Sequence, residues 1–182
     1  MKKLLLHTCC APCSGYLADE LAKDYAVAIY YDNPNIFPKE EFLKRSDEAA
    51  KYFARRGFEF IQPDYHHEDW LELVKGLEGV PERSERCLVC YHFRLSRTAN
   101  YAKQNGFDYF ASTLAISPHK DAQAINSIGD ALSAQVGVNF LAGDWKKNDG
   151  FKHAMEFSCE HDFYRQNYCG CEFSMNNCSQ PL

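Results

Sequence analysis

The chain lacks any apolar run long enough to cross a bilayer. Its longest runs, such as "YAVAIYY" at residues 25–31, fall far short of the roughly 18 residues a spanning helix needs, and "MKKLLLHTCCA" is too short for a secretory leader. Internal repeats, low-complexity tracts and flexible linkers are missing too, which excludes a solenoid and argues against a second independent domain. No glycine-serine-rich pyrophosphate loop follows the first strand-like run, where nucleotide hydrolases of related architecture carry one. There is also no basic excess. The net charge of −5 over 182 residues speaks mildly against a nucleic-acid partner, although a local basic face can bind phosphates on an acidic chain. These absences lead us to expect one soluble cytoplasmic domain, and 46% apolar residues with 14% aromatics are ample for its core.

What the chain does have is cysteine. Nine are present, an odd number in tight groups, which argues for metal or redox chemistry and against a secreted disulfide framework. Seven fall in three clusters: Cys9, Cys10 and Cys13 in "CCAPC", Cys87 and Cys90 in "RCLVC", and Cys169 and Cys171 in "YCGC". Cys159 and Cys178 stand alone and read as ordinary thiols.

Short apolar runs alternate with amphipathic ones. Strands are expected at Lys3 to His7, Ala26 to Tyr31, Phe58 to Ile61, Tyr109 to Ser112 and Asn139 to Ala142. Helical faces are formed by Phe42, Ala49, Ala50 and Phe53, by Leu88, Tyr91, Leu95 and Ala102, and by Ala122, Ile125, Gly129, Leu132 and Val136. Gly57 and Gly106 are placed as helix C-terminal caps. The fold class is therefore α/β, a single domain with a five-stranded, mostly parallel sheet and helices on both faces. Residues 1–145 form its core, and 146–182 a helical, cysteine-containing appendage that completes the site.

In such sheets ligands collect beyond the carboxyl ends of the strands, where "CCAPC" follows His7. Pro12 suits the first helical turn, and the positive end of a helix favours thiolates at Cys13, Cys87 and Cys90. From "CCAPC" alone a thioredoxin-like pair, Cys10 with Cys13, stays open, as does a structural zinc site. Seven clustered thiols exceed one zinc site, however. Four for an iron-sulfur cubane leave three for a separate ion with an open position, so the count favours two metal centres.

The blocks "HTCCAPCS", "YDNPNIFP", "ERCLVCYHFRLSRTANYAKQNGFDYFASTLAISPHK" and "FYRQNYCGC" together resemble the cobalamin-independent epoxyqueuosine reductases, the QueH family, in one order from His7 to Cys171. The resemblance implies a fold related to the nucleotide-binding HUP group, a 4Fe-4S cluster, and an adjacent mononuclear iron, or zinc in the protein as isolated. It implies reduction of the epoxide of epoxyqueuosine, at the wobble position of a tRNA anticodon, to the cyclopentene of queuosine, with electrons from an external donor and no membrane partner. Carried over, it gives the cubane Cys10, Cys87, Cys90 and Cys169, and the neighbouring iron Cys9, Cys13 and Cys171. Some relatives carry an acidic residue in place of Cys13, and "DWKKNDGF" is more polar than the family pattern, which bears on tRNA contacts of Lys146 and Lys147.

Making an alkene from an epoxide takes two electrons, two protons and loss of oxygen as water. Tyr91, Lys120 and Tyr168 are the expected proton donors, with His92 a further candidate, whereas His7 reads as a core or supporting histidine. Asn33, Asn35, Arg94, Ser112, Thr113 and Arg165 are the expected substrate-binding residues, with Asp32, Arg86 and Arg97 beside them. For the asparagines a turn is the competing account, and for the arginines a solvated face. Two other functions compete: an ATP-dependent tRNA thiolase and a non-catalytic zinc protein that binds RNA.

Overall fold

The fold is built on strand β1 (Lys2–His7). In a computed structural model, which describes residues 1–175, this strand pairs in parallel with β2 (Tyr25–Tyr30) on one side and β4 (Tyr109–Ser112) on the other. β3 (Glu59–Ile61) and β5 (Asn139–Phe140) complete a five-stranded parallel sheet of order β3-β2-β1-β4-β5. Burial on both faces explains why β1 is a continuous apolar run: Leu4, Leu5 and Leu6 are all fully buried.

Alternation along the strands divides the core. Leu5, Ala28, Tyr30 and Phe110 pack with Leu95, Ala99 and Ala102 of α4 (Glu85–Gln104) and with Ile125 and Leu132 of α5 (Ala122–Val136). Leu4, Leu6, Ile29 and Ala111 face the other way, onto α1 (Ala11–Leu21) and onto Ala49, Tyr52 and Phe53 of α2 (Lys39–Arg56). Gly57 caps α2 at φ +79°, and Gly106 turns left-handed just after α4. At Gly129 an added Cβ would stand 2.3 Å from Phe140 Cε1, so this glycine lets α5 close on β5.

The expected helical faces need two corrections. Leu88 is 42% exposed, because the inward side of the first turn of α4 is taken by Arg86 and Cys90. Ala50 is only partly buried, whereas Arg45, Ser46 and Ala49 complete the inner face of α2. The short α3 (His67–Leu73) is additional to the expected elements and supplies the buried Trp70. In the appendage, α6 (Gly150–Glu160) packs on α1, where a Cβ at Gly15 would meet Phe157 Cε1 at 2.7 Å, and α7 (Glu172–Met175) follows the last thiol pair. Cys178 lies outside the described residues.

Candidate metal centre

The platform of the site is the carboxyl end of the sheet, where the strand order switches sides between β1 and β4. His7 ties three strands together there. Its Nδ1 lies 3.0 Å from Ser112 Oγ and its Nε2 3.2 Å from the Asp32 carbonyl. A carbonyl only accepts, so Nε2 carries the proton and Ser112 donates to Nδ1. Burial drops the His7 pKa to about 3, helped by the Arg94 charge, so the ring is neutral. Asn33 is locked as well, its Nδ2 donating to Thr8 O at 2.8 Å and its Oδ1 accepting from Arg94.

The first thiol group sits on this platform. Cys10 is the extended N-cap residue of α1, with φ −169° and Pro12 following in the first turn. Cys9 and Cys10 have their sulfurs 3.7 Å apart. Hydrogen bonds from Cys10 and Cys13 hold Cys9 well below the ordinary thiol range despite burial, with Arg94 and Lys120 adding to the effect. Cys10 receives a hydrogen bond from Cys13, but donation to Cys9, burial and the neighbouring charge push it up to about 12. Cys13 is raised because it donates to both Cys10 and Cys9 and is buried. Among the three, the thiolate is therefore favoured on Cys9. Gln166 Nε2 also donates to Cys10 Sγ at 3.2 Å.

Cys87 and Cys90 lie one turn apart in the first turns of α4, and burial raises both. Cys169 and Cys171 flank Gly170, whose φ of +109° makes the turn between them. This turn is pinned from outside: Phe37 N–H donates to Gly170 O at 2.8 Å, and Arg45 Nη1 to Cys169 O at 3.4 Å. Arg45 is itself held by Glu41 at 2.7 Å. Cys171 packs with Cys90 against Trp70, and burial pushes its thiol up to about 12.

Two cavities meet among these thiols. A narrow one of about 20 Å³ is lined by Cys87, Cys90, Cys169 and Cys171. A wider one of about 140 Å³ is reached by Cys9, Cys13, Cys87 and Cys169. Tyr91 lines both. Lys120 borders the wider cavity, its Nζ donating to Cys169 Sγ at 3.5 Å. Burial alone would lower this ammonium, but the charges of Cys169 and Cys9 raise it overall.

The family model described as epoxyqueuosine reductase QueH matches residues 4–177. The chain belongs to the QueH family of epoxyqueuosine reductases. QueH relatives from Streptococcus pyogenes and Acinetobacter baylyi are each 40% identical, over 94% and 96% of this chain and 69% and 81% of their own lengths. The QueH protein of Dehalococcoides mccartyi is 38% identical over 94% of this chain and 92% of its own. The activity in that name is an oxidoreduction in queuosine biosynthesis. Among solved structures, a chain described as a predicted subunit of a tRNA methyltransferase from Methanocaldococcus jannaschii superposes with a TM-score of 0.60 at 10% identity, over 86% of this chain and 74% of that one. The U34-tRNA thiolase NcsA from Methanococcus maripaludis, solved with its 4Fe-4S cluster, gives 0.54 at 16% identity, over 95% and 61%. At these identities the likeness shows a shared α/β fold.

The donor set fits the iron-sulfur group that the QueH resemblance implies. All eight described cysteines are unbridged, and seven of them are the clustered thiols, which are the soft ligands such clusters select. Among the described residues no three Cys, His, Asp or Glu side chains converge at single-ion spacing. The surroundings are cationic: Arg45, Arg86 and Arg94 are at most 2% exposed, and Arg45 Nη2 and Arg94 Nε have no hydrogen-bond partner. These two unpaired buried N–H groups would be satisfied by a compact anion beside them, as a thiolate-ligated cluster is.

Cys10 Sγ lies beside Cys9 Sγ, and Cys171 packs with Cys90, so the expected split would place neighbouring thiols on different metals. Several expected substrate contacts are deeply buried. Asn33, Asn35, Arg94, Ser112 and Thr113 are all at most 2% exposed. Asn33, Arg94 and Ser112 are engaged with one another or with the His7 bridge, while Asn35 and Thr113 Oγ1 are buried without partners. Of the five, Thr113 lines the wider cavity. Arg97 pairs with Asp32, and Arg86 donates to the carbonyls of Leu77, Glu78 and Val80 at 2.8, 2.9 and 2.6 Å. Arg165 is exposed and Lys147 likewise. Lys146 donates to Lys120 O at 3.2 Å. His92 is turned away into an apolar groove with Leu88 and Phe93. Tyr168 lines the wider cavity with its hydroxyl on Phe37 O, and burial raises it to about 12. Sequence reasoning missed Glu82, Arg83, His119, Gln166 and Asn167 on the cavity wall. Their adjacency to the cysteine blocks and to "SPHK" was the available signal.

Proposed function

We propose that the chain reduces epoxyqueuosine in tRNA to queuosine, with a 4Fe-4S cluster on Cys87, Cys90, Cys169 and Cys171 and a mononuclear iron beside it, on which the thiols of Cys9, Cys10 and Cys13 would have to converge. The observation that carries this reading is the pair of thiol groups meeting at one cavity, the four-thiol group closed around the narrow space and Cys9 and Cys13 facing the wide one. Iron there supplies Lewis acidity and single electrons, which a carbon–oxygen cleavage of this kind needs. An external donor provides the electrons, and the enzyme acts in the cytoplasm.

The protein's own groups handle binding and protons. Lys120 Nζ, at the wall beside Cys169, is the proton donor to the departing epoxide oxygen. Tyr91, kept protonated by burial, stands next to it as the second donor. Thr113 Oγ1, buried on the cavity floor without a partner, is offered to a hydroxyl of the cyclopentane ring. The neutral His7 bridge fixes the strand ends so that Cys9 and Thr113 keep their spacing.

Anaerobic incubation of iron-reconstituted protein with a reductant and tRNA bearing epoxyqueuosine, followed by nucleoside mass analysis, tests the activity. Queuosine is expected, and its absence refutes the reading. Zinc without iron in anaerobically purified, colourless protein would favour an RNA-binding zinc protein instead. The ligand split is checked by two variants. Cys171→Ala should lose the cluster absorbance, while Cys10→Ala keeps most of it and loses turnover; the reverse pattern restores Cys10 to the cubane.

A further inference from the structure

The lining of the wider cavity divides into a floor and a rim. Tyr91, Thr113, Leu114 and Ser174 are buried, whereas Glu82, Arg83, His119 and Asn167 are exposed. We infer that Arg83, on the rim, reads a phosphate of the anticodon backbone while the modified base occupies the cavity. The inference rests on tRNA being the substrate.

Arg83 has three fixed points. Its backbone N–H donates to Cys87 Sγ at 3.3 Å, its Nε donates to His119 O at 2.9 Å, and its Nη2 donates to Pro118 O. Its φ of +65° lies in the left-handed region, which a long side chain adopts only where the surroundings impose it. The conformation aims the guanidinium across the cavity mouth, from the loop before α4 to the loop at residues 117–120. Both acceptors of its side chain are neutral carbonyls, and among the described residues no carboxylate lies within ion-pair distance of the guanidinium. A planar donor fork with spare N–H groups and an uncompensated charge is the chemistry that binds a phosphate.

The cations buried beside the thiols are less available. Arg94 is 2% exposed and bound to Asn33, and Lys120 is engaged with Cys169. When a single nucleotide is splayed into a pocket, its flanking phosphates stay at the rim, where Arg83 stands.

The test is binding of epoxyqueuosine tRNA to iron-loaded protein, measured against salt concentration. Arg83→Gln should weaken binding about tenfold at low salt and lower the slope of log affinity against log salt by roughly 0.7 to 1. Its iron content should be unchanged, because the contact to Cys87 is made by the backbone. Arg83→Lys, which keeps the charge, should retain the wild-type slope. An unchanged slope in the Gln variant, or a Lys variant that behaves like Gln, overturns the inference. Wild-type protein that does not bind this tRNA refutes the substrate reading itself.

Discussion

Replacing Gly170 by alanine perturbs the turn that carries Cys169 and Cys171, and its cost follows from two local facts. The φ of +109° is one that an L-residue adopts only under strain, worth about 1–3 kcal/mol. The new Cβ would stand 2.9 Å from Ile36 Cγ1 and 3.2 Å from Arg45 Nη1. Neither neighbour yields easily, since each is 1% exposed and Arg45 is held by Glu41 and by Cys169 O. Overpacking adds about 1 kcal/mol or more, so the expected loss is roughly 2–4 kcal/mol. For a domain of this size that lowers the melting temperature by roughly 4–16 °C. Relief of the clash by rotation of the turn would also displace both thiols, so iron content should fall. The assay is thermal unfolding followed by circular dichroism, with metal analysis of anaerobically reconstituted protein. Gly57→Ala is the control: its φ is +79° but nothing lies within 4 Å of the added Cβ, so about 1 kcal/mol is lost and iron is retained. A Gly170→Ala protein melting within 2 °C of wild type, with full iron, would refute the reasoning.

Arg86→Met keeps the aliphatic stem but leaves three carbonyls without their charged donor, and should cost about 2–4 kcal/mol with faster hydrogen exchange around residues 77–80; unchanged exchange would count against the latch. Tyr65 is pushed up to about 12 by burial, and its hydroxyl donates to Ile36 O at 2.6 Å. The native state therefore holds this proton where the unfolded chain releases it, so stability falls as pH rises from 10 towards 12. Tyr65→Phe should flatten that part of the denaturation profile, and an identical slope would exclude the residue. Removing the metal from reconstituted protein should leave Arg94 and Lys120 without a cluster anion beside them, lowering the melting temperature. Alkylation mapped by mass spectrometry should then reach exposed Cys159 first and buried Cys10, Cys90 and Cys171 last.

The parts of the fold that were legible depend on local chemistry. "KLLLH" reads as a central strand because both its faces are covered. Gly57 and Gly106 read as stops because left-handed backbone suits a residue without a Cβ. Helix α3 was missed, since seven residues with two buried side chains, His67 and Trp70, carry too short a periodic signal. Leu88 was placed inside, because a helical period identifies a stripe but not which edge of it the neighbouring elements cover. Arg94 and Arg165 were expected among the substrate contacts, with Arg86 and Arg97 beside them, as charged side chains are ordinarily exposed. Arg86 and Arg94 are instead buried, as is Arg45; Arg86 is held by carbonyls of the loop just before α4, while Arg94 and Arg45 reach Asn33 and the Cys169 carbonyl across the fold.

For the site the division is similar. By itself the sequence determined that soft ligands gather at the carboxyl end of a parallel sheet, because a C-x-x-C step and a strand-to-helix turn set sulfur positions within a few residues. Only the tertiary structure decided which clusters share a space. Cys10 joins Cys9 and Cys13 because it caps α1. Cys171 joins Cys90 because Phe37 and Arg45 fold the Cys169–Cys171 turn back over α4. Those separations are set by packing between distant segments, on which local spacing has no hold.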